Sequence, residues 1–228
     1  MSDGSQASGS DESRSAETDR VRRLQDKEAP RYDRQISLFE RVLFEGGREW
    51  TCAQAEGEVL EIAAGTGRNL PHYPDEVRLT TLELSPEMLA IARDRAEELG
   101  HDAELRLGDA QQLDFADESF DTVVCTLGLC TIPDPRRALS EAHRVLRPRG
   151  RLLLLEHVRS TVLPVRLVER MLNRLAVRFA ADHLTREPLD HLGAVGFEVE
   201  RLERSKWGIV ERLAARKTDR AQPPGKPV

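Results

Sequence analysis

From residue 58 onward the chain alternates short, unbroken apolar runs with longer stretches whose apolar residues recur at helical spacing. Val59-Leu60-Glu61-Ile62-Ala63 is such a run and leads into glycines, as a strand buried on both faces of a parallel sheet does. Leu79 to Leu84 is a second run. Ser85-Pro86-Glu87 then predicts a helix start, with Ser85 as N-cap, Pro86 in the first turn and Glu87 near the positive end of the helix dipole. That helix is expected to bury Met88, Leu89, Ile91, Ala92 and Leu99 and to stop at Gly100. Ala103–Leu107 and Phe120–Thr126 predict a third and a fourth strand. Asp134-Pro135 caps the next helix, with Ala138, Leu139, Ala142, Val145 and Leu146 on its core face and Pro148 and Gly150 ending it. Arg151–Val158, with leucine at every position from 152 to 155, predicts a central fifth strand. A long helical stretch over 163–181 and a shorter helix over Glu187–Ala194 follow. Phe197–Glu203 and Trp207–Ala215 close the pattern, and the short turn at Ser205-Lys206 permits only an antiparallel pair. The expectation is a doubly wound α/β sheet of seven strands, mostly parallel, with an antiparallel C-terminal hairpin at one edge.

Composition adds limits. A length of 228 residues fits one domain with its own core. Residues 1–28 hold six serines and three apolar residues in their first twenty, and the chain ends in a Pro-rich stretch. Both ends, 1–28 and 219–228, are therefore expected to be disordered tails around a domain over 29–218. No run approaches the roughly 20 apolar residues of a membrane span, and no charged-then-apolar leader opens the chain. Three scattered cysteines without a CxxC pair argue against a disulfide framework or a zinc site, so no metal is expected and the default location is cytoplasmic. A net charge of −6 speaks against a nucleic-acid partner.

The candidate chemistry begins after the first strand, in Glu61-Ile62-Ala63-Ala64-Gly65-Thr66-Gly67-Arg68. Ligands of such sheets sit at the carboxyl ends of the strands, near the switch in strand order. A dinucleotide loop, G-x-G-x-x-G, would have Arg68 in place of its third glycine. The other frame, acidic-x-Gly-x-Gly-x-Gly, reads Glu61-x-Ala63-x-Gly65-x-Gly67 and puts a carboxylate where a cationic ligand is welcome. Glu83, eighteen residues after Gly65, suits a bidentate grip on ribose hydroxyls. S-adenosylmethionine, with a ribose, an ammonium and a sulfonium, is such a ligand.

Across about residues 30–215 the chain resembles the class I S-adenosylmethionine-dependent methyltransferases, in the Rossmann-like branch that includes the menaquinone/ubiquinone C-methyltransferases. VLEIAAGTGRN, LELSPEMLAIAR, LGDAQQLDFADESFDTVVCTLGL and ALSEAHRVLRPRGRLLLLEH carry the likeness in order. The resemblance implies that Glu83, with Leu84, holds the ribose; that Asp109 and Ala110 meet the adenine; that Gly65 and Gly67 pass under the methionine moiety; that Glu61 supports the loop; and that Thr126 lies at the methionine end. Ala63 departs from the family's first glycine and is expected to be tolerated if its φ stays negative.

Methyl transfer from a sulfonium depends mainly on alignment, so a base is needed only for a protonated acceptor. His157, after the fifth strand, and His183, before the last helix, are the candidates. Cys125 and Cys130 read as packing thiols. Tyr32 and Tyr73 read as ring packing or, for Tyr32, as part of the N-terminal lid that the resemblance implies. Over 163–181, arginines at 166, 170, 174 and 178 flank an apolar side of Leu167, Val168, Met171, Leu172, Leu175, Ala176 and Phe179. Such a helix packs on its own domain with solvated arginines, or lies on the inner face of a membrane as a peripheral contact. An apolar cover with basic flanks suits a small or lipid-like acceptor such as a quinol. Weaker likenesses reach bacterial phosphatidylethanolamine N-methyltransferases and animal thiol methyltransferases. The alternatives are a cofactor-binding module without catalysis and a nucleic-acid or protein methyltransferase; Cys125-Thr126-Leu127-Gly128 stands where the latter carries an Asn-Pro-Pro-Tyr-like cluster.

Overall fold

The computed structural model describes residues 4–218, with side-chain environments from Ser13 onward. Strands β1 (Glu58–Ile62), β2 (Arg78–Glu83), β3 (Ala103–Leu107), β4 (Phe120–Thr126), β5 (Leu146–His157), β6 (Phe197–Ser205) and β7 (Val210–Lys217) form one sheet in the order β3-β2-β1-β4-β5-β7-β6. β3 through β5 run parallel, whereas β7 is antiparallel to both β5 and β6. The expected architecture is therefore the observed one. The strand order reverses at β1 and β4, which opens a crevice at their carboxyl ends.

The run of four leucines in β5 is apolar throughout because both of its faces are covered. Leu152 and Leu154 pack on one face with Leu139, Ala142 and Val145 of α4 (Pro135–Val145) and Leu192 of α6 (Leu189–Val195). Leu153 packs on the other with Val59, Val124, Leu79 and Ala96, and Leu155 meets Phe44 and Val210. Each side chain so buried contributes about 1.5–3 kcal/mol.

Helix α3 (Pro86–Leu99) starts as its cap dictates: Ser85 Oγ accepts from the Met88 N–H at 3.1 Å. It ends at Gly100 in the left-handed region. Its buried stripe closes at Ala96, however, and Leu99 is 49% exposed. β5 begins at Leu146 rather than Arg151. The intervening Pro148 and Gly150 lie at a register shift, where a strand tolerates both. Trp207 belongs to the β6–β7 turn, and β7 opens only at Val210.

The N-terminal segment departs from the composition reading. Gly4–Leu43 is one helix, α1, followed by α2 (Gly47–Cys52). Val21 and Ala29 are buried, the Thr18 hydroxyl accepts from Gln111 Nε2 at 3.0 Å, and Ser85 Oγ donates to Asp26 at 2.6 Å. The serine-rich count covered the first twenty residues, whereas most of this anchoring lies at Thr18 and beyond. Residues 1–3 and 219–228 lie outside the described residues.

Candidate functional site

The loop after β1 is stitched to β2 through Ala64 N–H to the Leu82 carbonyl at 3.1 Å. Ala63, Gly65 and Gly67 all adopt positive φ (54°, 60° and 74°). This corrects the condition set for Ala63: its methyl sits in the left-handed region. Gly128 makes the room, since a Cβ there would stand 2.7 Å from the Ala63 Cβ. The left-handed conformation costs a non-glycine residue roughly 1–2 kcal/mol, partly offset by glycine's freer unfolded state. Ala63→Gly should thus stabilise the fold by about 0.5–1 kcal/mol in urea titration; a loss of stability would show that the methyl packs better than it strains. Gly67 has a different need: a Cβ there would press on Leu70 and the backbone of α3 at Ala92.

Glu83, at the end of β2, is the focus of the crevice. Its buried carboxylate accepts from Gly65 N–H at 2.7 Å and Ser85 N–H at 2.8 Å. Burial pushes its pKa up against the pull of these backbone donors. Ala63, Glu83, Leu84, Gly108, Asp109 and Ala110 line a cavity of about 20 Å³, closed from above by Val21 and Gln25 of α1 and from the side by Ile132. That volume holds about one water, so a nucleoside enters only if α1 shifts. Gln25 Oε1 is buried without a hydrogen-bond partner among the described residues. An orphan acceptor beside a buried carboxylate suits a ligand rich in hydroxyl and amino donors, and the residues thus fit the nucleoside end of S-adenosylmethionine. Asp109 is partly engaged: Oδ1 accepts from Gln111 N–H at 2.9 Å, and the Gln111 amide also donates to it. A larger cleft of about 480 Å³ lies by the β6–β7 turn, lined by Glu45, Arg204 and Arg212 among others, away from the β1–β4 switch point.

Two further predicted residues stand behind the loop. Glu61 accepts from Asn69 Nδ2 at 2.8 Å and from the Tyr73 hydroxyl at 3.0 Å, and burial lifts its pKa to about 7. Thr126 Oγ1 accepts from Asn69 Nδ2 and Arg48 Nη1, both at 2.8 Å. Arg48 also reaches Asn69 Oδ1 at 2.7 Å and Glu40, which in turn binds Arg68. Asp33 takes the Thr66 hydroxyl at 2.6 Å and pairs with Arg95. α1 is therefore clamped to the glycine loop by two acids. Tyr32, between these groups, has a pKa pushed up to about 12 by burial.

At the end of β5 the structure separates the two histidines. His157 Nε2 lies 2.9 Å from Asp182 Oδ1, and Cys130 Sγ falls within 4.8 Å of both. Burial lowers the His157 pKa, but Asp182 more than reverses this. His183 follows Asp182, with its backbone N–H on the Cys130 carbonyl at 3.1 Å, and burial together with the Arg186 guanidinium lowers its pKa. Cys125 donates to Glu156, whose carboxylate also accepts Gly128 and Leu129 N–H at 3.0 Å and is lifted by burial to about 7. The sequence reading missed Val21, Gln25, Arg48 and Asp182. A helical recurrence of apolar positions through Val21, Leu24, Ala29, Tyr32 and Ile36 could have exposed the first two. Nothing in the sequence pairs Asp182 with His157.

The family described as "Methyltransferase domain" matches residues 60–154. A phosphatidylethanolamine N-methyltransferase of Cereibacter sphaeroides is 40% identical over 58% of this chain and 69% of its own length. A human thiol S-methyltransferase is 37% identical over 57% of this chain and 54% of its own. A ubiquinone/menaquinone biosynthesis C-methyltransferase of Dinoroseobacter shibae is 40% identical over 51% of this chain and 48% of its own. The chain thus spans about half the length of the latter two. Among solved structures, an S-adenosylmethionine-dependent methyltransferase of Thermotoga maritima superposes with a TM-score of 0.68 at 24% identity, covering 86% of this chain and 99% of its own, a likeness of fold.

Proposed function

Because this chain belongs to the class I S-adenosylmethionine-dependent methyltransferases, we propose that it moves the cofactor's methyl group onto a small hydrophobic or lipid-like acceptor. The observation that carries cofactor binding is the buried Glu83 carboxylate facing the same cavity as the unpartnered Gln25 oxygen. Support for the acceptor class comes from the relatives named for phosphatidylethanolamine and for ubiquinone/menaquinone.

The cofactor supplies an electrophilic methyl on a sulfonium. The chain's own work is to hold and align. Glu83 takes the ribose hydroxyls, Asp109 the adenine amine, and Leu84, Ala110 and Ile132 give apolar walls to the base. α1 excludes water once seated. With Nε2–H of His157 donated to Asp182, Nδ1 is left to receive a proton from a phenol, ammonium or thiol acceptor. The raised His157 pKa means that this base becomes free as pH rises through a value above the ordinary one for histidine.

The test incubates the protein with methyl-labelled cofactor and a cell extract split into lipid and aqueous fractions. Label should enter the lipid fraction, and label confined to the aqueous fraction refutes the acceptor class. With the acceptor in hand, His157→Ala should lower kcat by about 10²-fold or more and leave cofactor affinity unchanged. An unaltered kcat would remove His157 from the chemistry.

A further inference from the structure

Helix α5 (Leu163–Ala180) is mounted inside out. The positions buried or half-buried against the domain, Val165, Arg166, Glu169, Asn173, Ala176 and Val177, lie on one side of the helix and are mostly small or polar. The only acid of the helix, Glu169, is the buried one, its carboxylate accepting Ser160 N–H at 2.9 Å. The opposite side faces out and is apolar: Leu167, Val168, Leu172 and Leu175 are all exposed, as are Met171 at 77% and Phe179 at 64%. A helix that simply caps its own domain has the reverse arrangement. Of the two arrangements expected of this helix, packing on the domain by its apolar side is the one overturned.

We propose that this face docks flat on an anionic lipid surface. Arg170, Arg174 and Arg178 lie exposed along one edge of the apolar stripe, with Arg166 half-buried beyond them, and among the described residues none of the four pairs with a carboxylate. With Glu169 turned inward, the outward charge of α5 is wholly positive on a chain whose net charge is −6. Apolar side chains flanked by guanidiniums match the acyl–headgroup boundary of an anionic leaflet. They do not match a second copy, since a twofold contact would set the same arginines against each other. Trp207, 65% exposed, sits by the first turn of α5, where its carbonyl accepts from Ser160 Oγ at 2.7 Å, and it supplies an interfacial anchor at that end. The helix is about 27 Å long, and no helix among the described residues is long and apolar enough to cross a membrane, so the contact is peripheral.

The inference does not need methyl transfer, and its test does not measure it. The full chain is sedimented with phosphatidylglycerol/phosphatidylcholine vesicles and with phosphatidylcholine alone. Binding to the anionic vesicles, weakened by salt, is expected. Arg170→Glu/Arg174→Glu and, separately, Met171→Asp/Leu175→Asp should each reduce that affinity by about tenfold or more. The altered side chains are exposed, so the melting temperature should not move, and a parallel melt checks this. Three results overturn the docking face: no binding of the parent to anionic vesicles, equal binding by both variants, or a dimer in sedimentation velocity that Met171→Asp/Leu175→Asp dissolves while vesicles go unbound.

Discussion

Alanine in place of Glu83 should weaken S-adenosylmethionine binding by about a hundredfold, read by calorimetry. Hydrogen bonds to a charged group contribute about 1.5–3 kcal/mol each, and two ribose hydroxyls on one carboxylate place the loss near 3 kcal/mol or above, which is about 10²-fold. Part of the effect is indirect. Gly65 and Ser85 N–H both end on this carboxylate, so its removal also frees the glycine loop. Glu83→Gln separates the two contributions: its carbonyl can serve one N–H, but its NH₂ then opposes the other, and affinity should fall between that of the parent and that of the alanine variant. Burial lifts the Glu83 pKa, so the carboxylate form is lost at a higher pH on acidification than for an ordinary glutamate. Cofactor affinity should decline with it. Equal affinity in parent and alanine variant, with both folded by circular dichroism, would dismiss the cofactor assignment.

What the sequence shows depends on how local each feature is. β4 matches its expected bounds, Phe120–Thr126, because the β-branched and apolar core of Val123-Val124-Cys125, flanked by Phe120 and two threonines, reads as a buried strand whatever its neighbours. The Ser85 cap and the Gly100 stop are equally local. The early start of β5 is not, since Arg147-Pro148-Arg149-Gly150 reads as a loop and becomes strand only by pairing Leu146 with Phe120. α1 was hidden by averaging: serine-rich composition outweighed a helical recurrence that begins at Val21. α5 marks a sharper limit. Its periodicity announces an apolar side but cannot say whether that side faces the core, and here it does not. Within the site, Glu83 is placed by its strand end, whereas Asp182 meets His157 from 25 residues away. Arg48 joins α2 to the loop through partners at positions 40, 69 and 126. Such pairings are tertiary and leave no spacing to find.

Loss of Arg48 should cost the fold about 3 kcal/mol, because removing one partner of a buried ion pair leaves the other charge uncompensated. For a chain of this size that is a fall in Tm of roughly 6–12 °C. Arg48 and Glu40 have side chains only 11% and 14% exposed, so solvent screens the pair little. Arg48→Ala strands more than Glu40. Asn69 Oδ1 loses its donor, and Thr126 keeps only the Asn69 amide. Replacing both partners, Glu40→Leu with Arg48→Leu, should cost less than the two single changes together, since no buried charge then lacks its counterpart, apart from Arg68, which is closer to solvent. The pH dependence adds a second check. Burial raises the Glu40 pKa, but Arg48 and Arg68 more than reverse this and hold the carboxyl below its ordinary range. The stability it contributes is therefore complete above the ordinary glutamate pKa and is lost as pH falls through the depressed folded-state value. In the Arg48→Ala variant, with only Arg68 to hold that depression, the acid-dependent loss should shrink. An unchanged Tm and an unchanged acid profile would mean that the Arg48–Glu40 pair does not help to seat α1, and the clamp would then rest on Glu40 with Arg68 and on Asp33 with Thr66, Arg68 and Arg95.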